Sequence, residues 1–217
     1  MKKPIEVDSE ELRVVVWGKF ACYTRPEMKV ERMSYEVMTP SVARNILQAI
    51  YWHPGLDYRI TAIDVLKPIQ MIQMKRNELK SKIIASNVLT AAKTGGYFYS
   101  NSEKDTMQRS SLILKDVQYV IHTIMTRTED AEPEETLRKF KKIFTERAHQ
   151  GKCFTQPYFG CKEFPANFRL MERKEIMPAI RVTKDLGIML YDKDYTNPEN
   201  IRPLFFHAYM KNGTIKV

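Results

Sequence analysis

The sequence predicts an α+β fold, in which strands and two helices form an amino-terminal unit and further strands complete the carboxyl-terminal end. Segments rich in β-branched and aromatic residues alternate with two segments whose apolar residues recur at helical spacing. The chain then ends in strand-like segments with no helical pattern between them. Its 217 residues are enough for one domain or two small ones with a buried core.

The first elements are a strand, a loop and a helix. Residues 12–20 (LRVVVWGKF) are mostly β-branched and apolar, and predict the first strand. Residues 24–40 are polar and densely charged, so they predict a long loop. Thr39 and Pro40 then begin a helix, because a hydroxyl N-cap followed by proline favours a helical first turn. The apolar face of this helix comprises Val42, Ile46, Ala49 and Ile50.

The middle of the chain predicts two more strands around a helix and a loop. Residues 57–69 alternate between apolar and polar side chains for part of their length and predict a second strand. Residues 76–93 are interpreted as a helix, and the glycines and polar residues of 94–105 as a loop. The β-rich residues 111–126 predict a third strand.

A second amphipathic helix is predicted over 132–151. It begins with Pro133 and two glutamates, carries an apolar stripe, and ends at Gly151. Residues 153–171 predict a fourth, interrupted strand, and 186–192 and 203–217 further strands. Within the last segment, Asn212-Gly213 predicts a type I′ hairpin turn.

The resulting order, β-α-β-β-α-β followed by more strands, is that of a ferredoxin-like (RRM-like) domain with a β-rich carboxyl-terminal extension. We expect the boundary near residue 165, with a ferredoxin-like domain over 1–165 and the β-rich part over 166–217. Because this fold serves many functions, the function has to be argued from individual residues.

Charge favours a polyanionic partner. The chain has 35 Lys+Arg against 26 Asp+Glu, a formal charge of +9 and a pI near 9.4. Such a surplus favours RNA, DNA or an acidic membrane surface through steering and counterion release. Aromatic residues lie among the cations of the first loop, a mixture that suits phosphates and unstacked bases. The candidate RNA-binding residues are Arg25, Lys29, Arg32, Lys75 and Arg76.

Several other classes are disfavoured. The amino terminus lacks the pattern of a signal peptide, and no apolar run approaches the ~20 residues of a membrane span. Three cysteines without CxxC spacing predict reduced thiols and a cytoplasmic location. Cys153, Cys161 and His149 lack a fourth ligand for zinc, so we expect no metal and no cofactor. The alternative to a metal-free protein is a magnesium site, for which Asp192 and Asp194 are the possible ligands.

No phosphate-binding loop, nucleophile elbow or HExxH motif is present, so catalytic candidates come from histidine and tyrosine. His122 lies within the third strand, and alternation sets it on the face opposite Ile121. An imidazole is well matched to proton transfer near neutral pH. Tyr51, at the end of the first helix in QAIYWHP, offers a hydroxyl, which needs a nearby cation to act as a base.

Residues 15–54 (VVWGKFACYTRPEMKVERMSYEVMTPSVARNILQAIYWHP) closely resemble CRISPR-associated RAMP proteins of the Cas-five family, type I-C (Dvulg) subtype. The similarity continues to the carboxyl terminus. It includes VLKPIQ (65–70), RNELKSKI (76–83), QRSSLILKDVQYVI (108–121), GKCFTQPYFGCKEFP (151–165), DLGIML (185–190) and the terminal FFHAYMKNGTIKV.

The resemblance implies a CRISPR RNA-processing endoribonuclease. Family members of this subtype cut at the 3′ base of the repeat hairpin and stay on the 5′ handle within an interference complex. The implied reaction is metal-independent, with the ribose 2′-OH as nucleophile and a 2′,3′-cyclic phosphate as product. The alternatives are a structural guide-RNA-binding subunit that no longer cuts, and a divalent-ion-dependent DNA nuclease.

The resemblance also implies site residues. The family tyrosine at the end of the first helix matches Tyr51. The family lysine/histidine set on the later strand matches only in part, because His122 stands near the expected lysine and Thr123 and Ile124 follow it. No lysine lies nearer than Lys115, so the cation of the site stays unassigned. Trp52 is interpreted as a packing residue, and the role of His53 is left open.

Overall fold

A large antiparallel sheet runs through the computed structural model, which describes residues 4–99, 101, 103–195, 197 and 199–217. Its strands are β1 (Pro4–Val7), β2 (Leu12–Ala21), β3 (Leu56–Val65), β4 (Met71–Leu79), β5 (Thr106–Thr128), β6 (Asn167–Leu170), β7 (Lys184–Asp194), β8 (Arg202–Lys211) and β9 (Thr214–Lys216). The helices are α1 (Pro40–Ile50), α2 (Ala85–Thr94) and α3 (Leu137–His149).

The strands lie in the order β6-β2-β5-β3-β9-β8-β7, with β1 and β4 also paired to β5. Every pair is antiparallel, and the 23-residue strand β5 contacts four neighbours along its length. The carboxyl-terminal strands join the same sheet, because β9 pairs with β3. The predicted α+β class is therefore confirmed as a mixed fold with one large antiparallel sheet and few helices.

Helices α1 and α3 pack on one face of this sheet. Their buried faces include Ile46 and Leu47 of α1 and Phe140 and Phe144 of α3, which join the main core. On β5, Ile121 belongs to this core, whereas Val120 belongs to a smaller cluster with Val15 and Met171. Adjacent residues of β5 thus point to opposite faces of the sheet, as strand alternation requires.

The start of α1 follows from its sequence. The Thr39 side chain accepts a hydrogen bond from the Val42 backbone N–H at 3.4 Å, and Pro40 occupies the first turn. This cap satisfies an N–H that the helix itself cannot pair. The helix ends at Tyr51, whose backbone is extended (φ −148°, ψ 117°). The predicted N-cap and proline start of the first helix are confirmed.

The helix predicted over 76–93 is partly wrong. Residues 76–79 belong to β4, which pairs with the first half of β5 from Met71↔Leu114 to Leu79↔Thr106. Only residues 85–94 form a helix, and α2 has no buried residue. Pairing with β5 gives residues 76–79 a ladder of hydrogen bonds that a local helical preference does not outweigh.

The other differences concern the bounds of predicted elements and one additional strand. Strand β5 extends beyond the predicted 111–126 at both ends, and the sequence did not indicate β1. The predicted strand over 153–171 is reduced to β6, since Pro157, Gly160 and Pro165 interrupt it. The helix predicted over 132–151 begins later, after an N-cap at Thr136.

The tight turns agree with the sequence. Asn212 (φ 49°) and Gly213 (φ 80°) connect β8 to β9, so the predicted type I′ hairpin is confirmed. Residues 24–39 form no strand or helix, and the same holds for the described part of 95–105; Ser100 and Ser102 lie outside the described residues. Both predicted loops are therefore confirmed within the described residues, except that Thr94 still belongs to α2.

Gly160 is required by its backbone and its surroundings. Its φ is +80°, and a Cβ there would lie 2.1 Å from the Cys22 carbonyl oxygen. We expect Gly160→Ala to lower the free energy of unfolding by about 2–4 kcal/mol, from the left-handed backbone and this clash together. Urea unfolding measures the change. Gly95→Ala has a similar φ (+68°) and nothing within 4 Å, so it should cost about 1 kcal/mol. If the two variants lose the same free energy of unfolding, the clash with the Cys22 carbonyl does not contribute.

Candidate functional site

Tyr51 lies where α1 ends and the chain turns toward β3. Its backbone N–H donates to the Leu47 carbonyl at 3.0 Å, and the Tyr58 hydroxyl donates to the Tyr51 carbonyl at 2.7 Å. The Tyr51 ring lies 6.4 Å from the Phe140 ring of α3, between centroids. The backbone of Tyr51 is therefore held from both sides, while its side chain remains partly exposed.

Two opposite charges act on the Tyr51 phenol. Burial raises its pKa, the Glu135 carboxylate raises it further, and the Arg147 guanidinium opposes both. The net shift is upward, so the phenol keeps its proton near neutral pH and can donate a hydrogen bond. Arg147 reaches this position from α3, and its Nε donates to the Ile50 carbonyl at 2.9 Å. Arg147 therefore places a positive charge near the Tyr51 phenol.

His53 lies two residues after Tyr51 and contacts Glu135 and Phe140. Its Nδ1 accepts a hydrogen bond from the Gly55 backbone N–H at 3.2 Å, so the proton of the neutral ring is on Nε2. Nε2 lies 3.0 Å from Glu135 Oε1, and the ring centroid lies 4.8 Å from that of Phe140. His53 thus holds Glu135 beside the Tyr51 phenol, a role that the sequence had left open.

Trp52 is not a packing residue, so that prediction is wrong. Its side chain is 53% exposed and lines a groove of about 210 Å³. Phe154 and Tyr158 line the same groove and are also exposed. The helical repeat of α1 accounts for this exposure, because position 52 falls in line with Asn45 and Gln48, on the side of the helix opposite its buried stripe.

His122 lies on β5 between two carboxylates. Its Nδ1 is 2.8 Å from Glu11 Oε2 and its Nε2 is 2.9 Å from Asp64 Oδ2. Burial alone would lower the pKa of His122, but hydrogen bonds to Asp64 and Glu11 outweigh burial and raise it. The same contacts lower the pKa of each carboxyl against the opposing effect of burial. The arrangement therefore favours an imidazolium, which is a proton donor.

The structure does not bring Tyr51 and His122 together. Tyr51 packs against the main core, on the face that α1 and α3 cover. His122 points to the other face, as alternation from Ile121 predicted, and β3 places Asp64 beside it there. The two predicted catalytic residues thus lie on opposite faces of the sheet, which does not favour one shared site.

The pKa shifts around His122 predict a pH-dependent stability. The pKa of His122 is raised in the folded protein. The contribution of His122 to the free energy of unfolding is therefore complete at pH values below its pKa in the unfolded chain. It is lost as the pH rises through its pKa in the folded protein. We expect His122→Gln to cost about 1.5–3 kcal/mol at pH 6 and less at pH 9, in paired urea titrations.

His207→Gln is a matched control, since His207 also faces a carboxylate, at 2.8 Å, but is 59% exposed. It should change stability little at either pH. Equal costs for His122→Gln at pH 6 and pH 9 would contradict the assignment of an imidazolium.

The structure brings two of the candidate RNA-binding arginines together. Arg32 and Arg76 both contact Glu163, and Arg32 also lies 3.6 Å from Glu78. Arg109, opposite Arg76 in the β4–β5 ladder, lies 3.7 Å from Glu78. Three arginines thus share two carboxylates. The sequence did not single out Arg109, because only the strand register reveals its position.

The other three candidate cations have different surroundings. The Arg25 guanidinium lies over the Tyr35 ring, 4.8 Å from its centroid, and 3.9 Å from Glu27. Lys29 in the loop and Lys75 on β4 are exposed. Of the five candidate residues, these two lysines present their charge most openly to solvent.

The suspected metal ligands have other partners. Asp192 is 6% exposed and forms an ion pair with Arg44, whose Nη2 donates to Oδ1 at 2.7 Å. Cys161 Sγ lies 3.6 Å from Arg32 and 3.8 Å from the Cys22 carbonyl. Within the described ranges, no group of three or more His, Cys, Asp or Glu side chains is arranged to hold a metal ion.

The helices were also compared with the requirements for spanning a membrane. Across the part of the chain that the structure describes, none of them has both the length and the apolar character needed to cross a bilayer.

Comparison with known proteins identifies the family. Residues 11–217 match the family model described as CRISPR-associated protein (Cas_Cas5). A relative from Mannheimia succiniciproducens, named CRISPR pre-crRNA endoribonuclease Cas5d, is 43% identical over 216 residues, covering 96% of this chain and 95% of its own. A protein of the same name from Thermus thermophilus is 35% identical over 224 residues, covering 95% and 90%.

A solved structure titled Crystal Structure of CRISPR-associated Protein superposes with a TM-score of 0.69. It is 22% identical and covers 96% of this chain and 92% of its own. That likeness concerns the fold. The family model and the two full-length relatives together establish the classification: the chain belongs to the Cas5 family of CRISPR-associated proteins, in the Cas5d group.

Proposed function

We propose that the protein is a CRISPR pre-crRNA endoribonuclease that cuts at the 3′ base of the repeat hairpin. The observation that carries this proposal is the match, over 95–96% of the chain, to two relatives whose names state that activity. After cutting, the protein stays on the 5′ handle of the guide RNA as a subunit of a type I-C interference complex, as the family resemblance implies. It works in the cytosol, which its three free cysteines favour.

The proposed chemistry is an internal transesterification without a metal ion. The ribose 2′-oxygen forms a bond to the adjacent phosphorus, and the bond from phosphorus to the 5′-oxygen breaks. The 2′ proton is released, and the leaving oxygen takes up a proton. The products are a 2′,3′-cyclic phosphate and a 5′-hydroxyl. Such a reaction needs a proton donor and a positive charge beside the phosphate.

Tyr51 and Arg147 are the proposed donor and charge. The raised pKa of Tyr51 keeps its hydroxyl protonated, so it can donate to the leaving oxygen or to a phosphate oxygen. Arg147 acts on the same phenol electrostatically, and its backbone contact to Ile50 holds it at the end of α1. Negative charge that develops on the phosphate would meet Arg147 in a partly buried setting, where electrostatic stabilisation is strongest.

His122 is the competing catalytic assignment. Its imidazolium between Glu11 and Asp64 is a proton donor, which favours it as the group that protonates the leaving oxygen. The two assignments compete, because Tyr51 and His122 lie on opposite faces of the sheet. We assign the reacting phosphate to Tyr51, because the family resemblance matches the tyrosine at the end of the first helix fully and matches His122 only in part.

RNA binding is proposed to use Arg25, Lys29, Arg32, Lys75 and Arg76. Glu78 and Glu163 already occupy Arg32 and Arg76 in part, so these arginines would have to exchange carboxylates for phosphates. Lys29 and Lys75 are exposed and lose little hydration on meeting a phosphate.

We therefore expect Lys29→Ala and Lys75→Ala to weaken repeat-RNA binding severalfold each. Each should also reduce the slope of log affinity against log salt by about 1, because one counterion fewer is released. Filter binding between 50 and 300 mM salt measures both quantities. Lys216→Ala, an exposed lysine on β9, is the control. If all three variants lose affinity equally, the binding reflects net charge and not this surface.

We further propose that β2, α1, β3, β5, α3 and β6 form a ferredoxin-like unit, which moves its end from the predicted residue 165 to a position after β6. The order β6-β2-β5-β3, with both helices on one face, supports this arrangement. In this proposal β7, β8 and β9 form the β-rich carboxyl-terminal part. Limited proteolysis between β6 and β7 would test the division, since two units should each resist further digestion.

One assay separates the proposal from its alternatives. Purified protein is incubated with repeat RNA and with duplex DNA, each in EDTA and in magnesium. A single RNA cut that persists in EDTA supports the endoribonuclease. RNA binding without a cut would indicate a structural subunit, and DNA loss only in magnesium would indicate a DNA nuclease. Either of the last two results would overturn the proposal.

A further inference from the structure

An exposed aromatic groove lies at the end of α1, where Tyr51 also lies, and has no role in the chemistry above. Trp52 is 53% exposed, Phe154 72% and Tyr158 36%, and the three rings line one groove of about 210 Å³. The amide side chains of Asn45 and Gln48, from α1, lie along the same groove. Large aromatic rings are usually buried, so three exposed ones around a single groove need an explanation.

The groove is held in place by backbone hydrogen bonds. The N–H groups of Phe154 and Thr155 both donate to the Ala49 carbonyl, at 2.7 and 3.1 Å. Gln156 Nε2 donates to the Ala166 carbonyl at 3.1 Å, which ties the same loop to the start of β6. These bonds fix the loop against the end of α1, so its aromatic rings are presented without a conformational change.

The loop that forms one side of the groove also carries a lysine. Lys152 is exposed two residues before Phe154, and its N–H donates to the Arg147 carbonyl at 2.9 Å. Arg147 itself lies at Tyr51, and the whole chain carries +9. Aromatic faces beside cations suit unpaired nucleotides, whose bases stack while their phosphates meet the charges. Amides such as those of Asn45 and Gln48 can bond base edges.

We infer that this groove stacks an unpaired nucleotide of the RNA next to the cleaved phosphate. Trp52 directly follows Tyr51 in the chain, so a base held by Trp52, Phe154 and Tyr158 would keep the bound strand at the end of α1, where the phenol also lies. The groove is thus a positioning site for single-stranded RNA flanking the repeat hairpin. The inference rests on the proposed function only for the identity of that RNA.

The fluorescence of Trp52 can report directly on base stacking in the groove. The chain has two tryptophans, so Trp17→Phe leaves Trp52 as the single one. Stacking of a base on Trp52 should quench its fluorescence when repeat RNA with single-stranded flanks is added. A blunt hairpin without flanks should quench it much less.

Variants then test the energy of stacking. We expect Trp52→Leu and Phe154→Leu each to weaken binding of the flanked repeat RNA about tenfold, and Trp52→Phe to retain most of the affinity. Leucine keeps the apolar surface and removes the π face. Phe205→Leu on β8, where Phe205 is 47% exposed, is the matched control and should bind like wild type.

The outcomes separate this inference from the proposed function. Wild-type affinity in both Leu variants, or no quenching by flanked RNA, would overturn the stacking site even if the protein cuts RNA. Quenching and weakened binding in a protein that never cuts would support the stacking site and overturn the proposed function. Unchanged RNA binding with failed assembly of the interference complex would assign the groove to a protein partner and overturn our inference.

Discussion

Tyr51→Phe should slow cleavage of repeat RNA about 100-fold, the usual range for loss of a positioned proton donor. Phenylalanine keeps the ring against Phe140 and removes only the hydroxyl, so folding and RNA affinity should change little. Single-turnover cleavage with excess protein separates the chemical step from binding.

Two variants make this result specific. Tyr209→Phe removes the hydroxyl of a tyrosine that is 51% exposed on β8, and should cut at the wild-type rate. His122→Gln should lower the rate much less than Tyr51→Phe, because His122 lies on the other face of the sheet. If His122→Gln cuts much more slowly than wild type while Tyr51→Phe cuts at the wild-type rate, His122 is the catalytic residue and our assignment to Tyr51 is wrong.

Arg44→Ala should lower the free energy of unfolding by about 3–5 kcal/mol. Asp192 is 6% exposed, and Arg44 on α1 is its ion-pair partner across to β7. Removing the guanidinium leaves a buried carboxylate without its cation, which costs far more than the pair contributes. Urea unfolding monitored by circular dichroism measures the loss.

The paired replacement distinguishes this cause from a packing defect. Arg44→Met combined with Asp192→Leu removes both charges and fills similar volume, so its stability should lie closer to wild type. If the double variant is as unstable as Arg44→Ala, the ion pair is not the source. Stabilisation of wild type by magnesium that disappears in Asp192→Asn would instead make Asp192 a metal ligand.

Local sequence patterns predicted the position of Tyr51 well. The Thr39 cap, the proline at the first turn and the apolar stripe of α1 act within a few residues, so the helix end could be located. The hairpin at Asn212-Gly213 was predictable for the same reason, because both residues adopt the positive φ that this turn requires.

Long-range packing explains what the sequence did not predict. Residues 76–79 form a strand because β5 pairs with them, and their own sequence does not reveal that partner. Arg147 is about a hundred residues from Tyr51 in sequence, and the two meet only because α3 packs beside α1. Alternation set His122 opposite Ile121, but it could not reveal which face the helices would cover.

The most direct test of the central claim is a single 2′-deoxy substitution in the repeat RNA, at the nucleotide that precedes the cleaved phosphate. If the 2′-oxygen is the nucleophile, the modified RNA should bind with unchanged affinity and remain uncut in EDTA. The unmodified RNA should yield a 2′,3′-cyclic phosphate. Cleavage of the modified RNA at the same position would contradict the account, because another nucleophile would then attack the phosphate.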